Sequence, residues 1–283
     1  MQPKVLTNPV GVKPEHSEPL QRARLALNSD RPQDAERIAD EILKLDQCNS
    51  AALQVRGCAL LMQKRAADAV APLQAAAQSL RDGESDTLLA MALRQTGQIE
   101  GALSRLKRAV KRQPPYAPAY HELGYLHMSL ENYDEAIEAL RRGLEIAPMM
   151  PQLFVQLGEV FLRRRSYGNA KVAFARALEI APHSTDALFG LAKAHQSLGD
   201  AAPAASHYRR CLVLTPEDGA CWLNLGHCLL QLGEIEAGYD CFRTAARGDP
   251  KRYGKALASL AASGRGKLWL KPSAAARFFA AKR

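Results

Sequence analysis

Prolines recur in this chain at one constant distance. Pro148, Pro182, Pro216 and Pro250 stand 34 residues apart, and each closes a stretch whose apolar residues follow helical spacing. A constant period of this length indicates a repeat array, because one short unit buries its apolar face only by packing against its neighbours. The period therefore predicts an all-α chain of stacked helical hairpins.

Seven units share one register from residue 16 to residue 252. They start at residues 16, 50, 83, 117, 151, 185 and 219, so that one spacing is 33 instead of 34. A small residue at the twentieth position predicts a close crossing of the two helices. That position holds Ala35, Ala69, Ala102, Ala136, Ala170, Ala204 and Gly238. A bulkier residue follows four positions later in most units, at Leu73, Leu106, Leu140, Phe174, Tyr208 and Phe242.

The units resemble the tetratricopeptide repeat. Unit 151–184 carries the whole family pattern, at Phe154, Leu157, Gly158, Phe161, Ala170, Phe174, Ala177 and Pro182. Unit 219–252 carries most of it, with Leu229 and Gly238 at two places where the pattern asks for other residues. The resemblance covers residues 16–252. It implies an all-α, right-handed α-solenoid of about seven helical hairpins with a C-terminal capping helix.

The two ends of the chain differ from the array. Prolines in residues 1–15 predict an extended or disordered arm, since each proline disfavours helix at the residue before it. Neither this arm nor any later stretch has the apolar run of a signal peptide or a membrane span. The apolar spacing in residues 253–263 predicts the capping helix. A basic aromatic tail follows to residue 283.

The net charge of +9 comes from the last 33 residues, which include the predicted capping helix and the tail. Residues 251–283 contain nine Lys or Arg and no Asp or Glu, so that residues 1–250 are formally neutral. Arg265, Lys267, Lys271 and Arg277 are candidates for contact with an anionic membrane or with nucleic acid. The alternative is that Trp269, Phe278 and Phe279 fold back onto the last repeat while the cations are solvated.

The family resemblance also implies a partner site. Partners of such arrays usually lie on the concave face, which the second, fifth, ninth and twelfth positions of each unit line. Here that face includes Met91, Arg94, His121, Tyr125, Met128, Val155, Glu159, Phe189, Lys193, Leu223 and His227. This mixture suits an extended or helical peptide. The Lys and Asn residues with which some members clamp a C-terminal carboxylate are missing, which argues against that specificity.

Patterns of catalysis and metal binding are absent from the sequence. It has no nucleophile elbow, zincin motif or phosphate-binding glycine loop, so we expect neither enzyme activity nor a cofactor. Cys211, Cys221, Cys228 and Cys241 lack the close pairs of zinc sites and stand where other units have alanine, which favours apolar packing. Five cations in residues 105–112 (Arg105, Lys107, Arg108, Lys111 and Arg112) are interpreted as a solvated outer face.

Together these features predict a non-catalytic scaffold or adaptor for a protein or peptide partner. One alternative is an accessory or targeting subunit of a separate enzyme, such as a transferase or hydroxylase. Another is anchoring to membrane or nucleic acid through the tail. Irregularly spaced cysteines predict a cytoplasmic location, and the alanine- and arginine-rich composition suggests a bacterial source.

Overall fold

The structure, a computed structural model, describes residues 14–247, with side chains from Ser17 onward. Every regular element in this range is a helix, which confirms the predicted all-α class. The first helix begins at Pro14, two residues earlier than predicted, because proline is well suited to the first turn of a helix. The rest of the predicted arm (1–13), and the predicted capping helix and tail (253–283), lie outside the described residues.

The chain forms two compact units, which meet in sequence at Pro148 and Met149. In each unit, consecutive helices pack as antiparallel hairpins. The first unit contains α1 (Pro14–Asn28), α2 (Pro32–Leu45), α3 (Ser50–Met62), α4 (Ala66–Leu80), α5 (Gly83–Gln95), α6 (Ile99–Ala109), α7 (Ala117–Ser129) and α8 (Tyr133–Ile146). The second contains α9 (Pro151–Arg163), α10 (Tyr167–Ile180), α11 (Thr185–Ser197), α12 (Ala201–Leu214), α13 (Gly219–Gln231) and α14 (Ile235–Ala246).

Each hairpin turns at the fifteenth position of its repeat, through a residue with a positive φ. Three of these residues are glycines, with φ between 82° and 86°: Gly97, Gly199 and Gly233. The other four have φ between 55° and 63°: Asp30, Lys64, Glu131 and Arg165. A left-handed residue ends a helix and lets the chain reverse, which explains why every turn uses the same position.

The periodic prolines end the second helix of a hairpin. Ala147, Ala181 and Thr215 precede Pro148, Pro182 and Pro216, and their ψ angles are 73°, 82° and 73°. A proline ring clashes with a preceding residue in helical conformation, so these residues leave the helix. The 34-residue period of the sequence is thus a period of helix termination.

Glycine at the eighth position makes room for the large residue at the twenty-fourth position of the same hairpin. A Cβ atom added at this glycine would lie within 2.8 Å of the large side chain in every such pair. The pairs are Gly57 with Leu73, Gly124 with Leu140, Gly158 with Phe174, and Gly226 with Phe242. All four large residues have 0% exposure, so the glycines allow the two helices to bury them.

The basic cluster at residues 105–112 is not the solvated face that the sequence suggested. Three of its arginines surround Asp86 of α5, whose side chain is fully buried. Arg108 donates from Nε to both carboxylate oxygens, at 3.1 and 3.0 Å, and Arg112 Nε lies 3.3 Å from Oδ2. The physical reason is that a carboxylate at a core position of α5 requires cationic partners, and α6 and the residues that follow it supply them.

Candidate functional site

A groove of about 700 Å³ opens in the second unit, on the side formed by the first helices of its hairpins. Residues of α9 and α11 line it, together with the loop that leads from α12 into α13. Its apolar part comes from Leu162 of α9, Phe189 of α11 and the ring of Phe174 beneath them.

The floor of the groove depends on two glycines. Phe174 projects from α10 between Gly158 and Gly190, and a Cβ atom added at Gly190 would lie 2.3 Å from its ring. Phe189 is held beside this floor by an edge-to-face contact with Tyr208, at 5.6 Å between ring centroids. Tyr208 is itself buried and donates a hydrogen bond to Gln196 Oε1 at 2.9 Å. The aromatic floor is therefore positioned before any partner binds.

Six charged side chains line the groove. Four are acidic and two are basic: Glu159, Asp186, Glu217, Asp218, Arg163 and Lys193. Residues 149–247 as a whole contain ten Lys or Arg and nine Asp or Glu, a net charge of +1. The groove thus carries an excess of negative charge on a unit that is otherwise slightly basic, which favours cationic ligands.

The charges are distributed unequally along the groove. Asp186 lies in the first turn of α11, and Glu217 and Asp218 precede α13, so all three lie where first helices begin. Arg163 is the last residue of α9 and lies where first helices end. Asp218 caps α13 by accepting from Ala220 N at 2.8 Å. The groove therefore has an acidic end; towards the other end Arg163 and Lys193 outnumber Glu159, and that end is called the basic end.

Three of the groove charges are free to meet a ligand. Within residues 14–247, no ion pair or side-chain hydrogen bond engages Asp186, Lys193 or Glu217. Lys193 and Glu217 are exposed to solvent, and so is Asp186. Charges that the chain leaves uncompensated next to an apolar floor can pair with a ligand without first breaking an internal bond.

The structure brings together only some of the site residues predicted in the second unit. Glu159, Phe189 and Lys193 line the groove. Leu223 packs on the buried Phe242, and the His227 ring contacts Phe242 edge-on at 5.2 Å. Burial lowers the pKa of His227, consistent with a packing role. Val155 is half-buried and lies outside the groove lining.

The repeat register did not predict the acidic end of the groove. Asp186, Glu217 and Asp218 occupy a helix start and an inter-repeat loop, outside the four positions that were expected to line the face. A signal was available, since two adjacent acids directly follow Pro216, where the chain passes from one repeat to the next.

In the first unit, side chains on the corresponding helix face pair with one another, and this paired surface is called the closed face. Arg94 of α5 reaches Glu122 of α7, with Nη2 to Oε2 at 3.5 Å. The guanidinium also lies over the Tyr125 ring, 4.5 Å from its centroid. His121 Nδ1 is 3.8 Å from Glu122, and Met91 packs on the core. Four predicted residues thus lie together, although they contact one another or the core.

Met128 must be removed from the predicted face. Its side chain is only 4% exposed, although the sequence assigned it to the face at the twelfth position. Met128 lies about 60° around the helix from Tyr125, at the border between this face and the packed side. There, a large apolar side chain gains from burial.

The four cysteines of the second unit are all buried. Burial raises the pKa of Cys228 and of Cys241 to about 11, so both are thiols at neutral pH. Cys221 lies in the core beneath Tyr208 and contacts the Tyr208 carbonyl oxygen at 3.3 Å. Among residues 14–247, no three His, Cys, Asp or Glu side chains are arranged to hold a metal ion.

Two further predictions concern membranes and the tail. No helix within residues 14–247 combines the length and apolar character that a membrane crossing requires. Arg265, Lys267, Lys271 and Arg277, the predicted anionic contacts, lie outside the described residues. The cytoplasmic location and the bacterial source stay predictions.

Comparisons with known families agree with the geometry of the hairpins. Residues 20–84 and 87–151 match the tetratricopeptide repeat family. Residues 163–245 match the family described as anaphase-promoting complex, cyclosome, subunit 3. A comparison with curated proteins finds no match. The chain is a tetratricopeptide repeat protein, and the fold implied by the resemblance is confirmed.

Solved structures show the same fold at low sequence identity. A crystal structure of MamA is 20% identical and covers 59% of this chain and 95% of its own, with a TM-score of 0.53. The Cut9–Hcn1 hetero-tetramer of the APC/C gives a TM-score of 0.72 at 16% identity, over 86% of this chain and 49% of that one. A tetratricopeptide repeat protein from Parabacteroides merdae gives 0.60 at 17% identity, over 89% and 100%.

Proposed function

We propose that this protein is a non-catalytic scaffold that holds a segment of a protein partner in the groove of the second unit. The observation that carries the proposal is the polarity of the groove, which has an aromatic floor between an acidic end and a basic end. A peptide binds such a surface in one direction, because reversing it would place like charges together.

The expected ligand follows from this lining. Its anchor is an apolar or aromatic side chain that packs on Phe189 and Leu162. Basic residues on one side of the anchor meet Asp186 and Glu217, and an acidic group on the other side meets Arg163. The floor is held by Tyr208 and Phe174 in the unbound protein, so little entropy is lost in ordering it when a partner binds.

The family supports a scaffold, and two matches support a role within an assembly. One is the match to a family described as a subunit of the anaphase-promoting complex; the other is the likeness to a hetero-tetramer. These matches also favour the alternative of an accessory subunit, in which the bound segment belongs to a separate enzyme. The two alternatives use the same groove and differ only in the partner.

The experiment is an affinity capture followed by mass spectrometry, with three single variants beside the wild type. Phe189→Ala removes the floor and should lower partner affinity about 30-fold, the effect of losing a central aromatic contact. Tyr125→Ala tests the closed face of the first unit and should have a smaller effect. Val213→Ala is the matched control, because Val213 is an apolar side chain with 81% exposure outside the groove.

Circular dichroism of each variant must show an intact helical fold before the captures are compared. Loss of one or more partners from Phe189→Ala alone supports the groove. An identical set of partners for Phe189→Ala and Val213→Ala would contradict the proposal.

A further inference from the structure

The excess of acid in the groove is matched by an excess of base elsewhere in the same chain. Residues 264–283 contain six Lys or Arg and no Asp or Glu. The same segment contains Trp269, Phe278 and Phe279. Aromatic anchors among cations are the composition that an aromatic floor with an acidic end would select.

We propose that the groove of the second unit receives residues 264–283 of its own chain, so that this segment competes with an external partner. The proposal uses the same groove as the proposed function, and rests on it to that extent. Three features of the chain support this segment as the ligand: the charge of the groove, the place where the described chain ends, and the length of the connection between them.

The negative residues of the second unit are distributed unevenly. The groove lining carries two more acids than bases, while residues 149–247 have a net charge of +1. The acids are therefore concentrated at the groove and are not a general property of the unit. Asp186 and Glu217 have no ionic partner within residues 14–247, so a basic segment would pair with carboxylates that are available.

The place where the described chain ends also favours this segment. In an antiparallel hairpin, the second helix ends beside the start of the first. Ala246, the last residue of α14, therefore lies at the end of its hairpin where α13 begins. Glu217 and Asp218 directly precede α13 at that same end. The chain leaves the described region on the side of the acidic end of the groove.

The connection between α14 and residue 264 is long enough to reach the groove. The seventeen residues from 248 to 264 can extend over about 55 Å, at roughly 3.3 Å per residue. Neighbouring helices pack 8–10 Å apart, so that the groove lies within roughly 20–30 Å of the end of α14. The connection therefore allows docking within one molecule, where the effective concentration of the segment is high.

The test measures trypsin cleavage of the full chain after Lys267 and Arg277, followed by mass spectrometry. Docking protects these bonds in the wild type. The double variant Asp186→Asn with Glu217→Gln should be cleaved about five to ten times faster there, as expected for the loss of two surface ion pairs. High salt should accelerate cleavage of the wild type in the same way.

A matched double variant controls for net charge. Glu179→Gln with Glu236→Gln removes two exposed acids of the second unit outside the groove, and cleavage at Lys267 and Arg277 should stay at the wild-type rate. Equal rates in the wild type and the groove variant, or an equal acceleration in the control variant, would overturn the inference.

Carbodiimide coupling identifies the contact and the molecule that supplies it. It joins a lysine amine to a carboxylate in direct contact, and we expect products that link Lys267 or Lys271 to Asp186 or Glu217. In a mixture of isotope-labelled and unlabelled chains, these products should be entirely labelled or entirely unlabelled. Mixed products would assign the segment to a second copy and overturn the inference.

The two proposals can fail separately. If Phe189→Ala loses its partners while residues 264–283 are cleaved at one rate in all variants, the groove binds other proteins and the intramolecular docking is wrong. If the segment is protected and coupled as expected while no partner depends on Phe189, the docking stands and the proposed scaffold function is wrong.

Discussion

The same register positions carry side chains that pair with one another in the first unit and side chains that line a groove in the second. The fifth, sixth and ninth positions are His121, Glu122 and Tyr125 in α7, and Phe189, Gly190 and Lys193 in α11. Glu122 reaches back to Arg94 at the twelfth position of the preceding repeat. The equivalent pair in the second unit is Gly190 with Leu162, which has no charge and little bulk, so a groove forms there.

The difference extends to buried charge. The first unit buries Asp86 among three arginines and places Glu84 in a half-buried site. No charged side chain is buried within residues 149–247, where the charged residues lie at the surface. Charges in the first unit are therefore expected to act on stability, and those of the groove on binding. Four predictions test this division.

The largest effect is expected from Asp86→Asn. The substitution keeps the shape of the side chain and leaves three arginines without their anion, so the free energy of unfolding should fall by about 3–5 kcal/mol. Urea unfolding followed by circular dichroism measures it. Asp68→Asn is the control, because Asp68 also pairs with an arginine but both side chains are exposed; it should cost less than about 1 kcal/mol. Equal losses in the two variants would mean that the buried Asp86 contributes no more to the free energy of unfolding than an exposed carboxylate does.

The second prediction concerns pH. Burial, with a smaller contribution from Asp82, raises the pKa of Glu84 to about 7, and Arg24 opposes the shift. In the unfolded chain the pKa is near 4.5, so the folded state binds the proton more tightly. The contribution of Glu84 is fully present below about pH 4.5 and is lost as the pH rises through 7.

Wild-type stability should therefore fall between pH 5 and 7.5 relative to Glu84→Gln, by up to about 3 kcal/mol. Urea unfolding of both proteins at several pH values gives the difference directly, and contributions from the histidines cancel in it. Two parallel curves would show that Glu84 titrates alike in the folded and unfolded chains.

The third prediction tests the floor of the groove. Gly190→Ala places a Cβ atom 2.3 Å from the Phe174 ring, and displacing that ring should cost about 1–3 kcal/mol. The double variant with Phe174→Leu should recover part of the loss, because the smaller side chain frees space. Gly168→Ala is the matched control in a helix with open space around it, and it should be neutral or stabilise by up to about 1 kcal/mol. Thermal unfolding compares the three variants with the wild type.

The smallest effects on the free energy of unfolding should come from substitutions on the closed face of the first unit and in the groove of the second. Arg94→Ala removes an ion pair and a cation–π contact and should cost about 0.5–1.5 kcal/mol. Lys193→Ala should change the free energy of unfolding by less than about 0.5 kcal/mol, while it alters partner binding. A larger stability loss in Lys193→Ala than in Arg94→Ala would reverse the contrast between the units.

Periodicity was sufficient to predict the fold because helix termination, turn position and core contacts all repeat with it. The site was harder to predict. Phe189 and Lys193 follow from the register, but the depth of the groove depends on Gly190, an exception to the pattern at its position. The acidic end lies in a loop, and Asp86 finds its arginines only when α5 and α6 are packed together. Such contacts between elements leave no trace in spacing along the chain.

The turns of the hairpins also have a consequence for engineering. Asp30, Lys64, Glu131 and Arg165 hold a conformation that costs a residue with a side chain roughly 1 kcal/mol, and three sister turns already use glycine. Replacing each of the four by glycine should raise the thermal midpoint in separate steps that add, since the turns are far apart. The three turns that already contain glycine thus show which substitution should stabilise the other four turns.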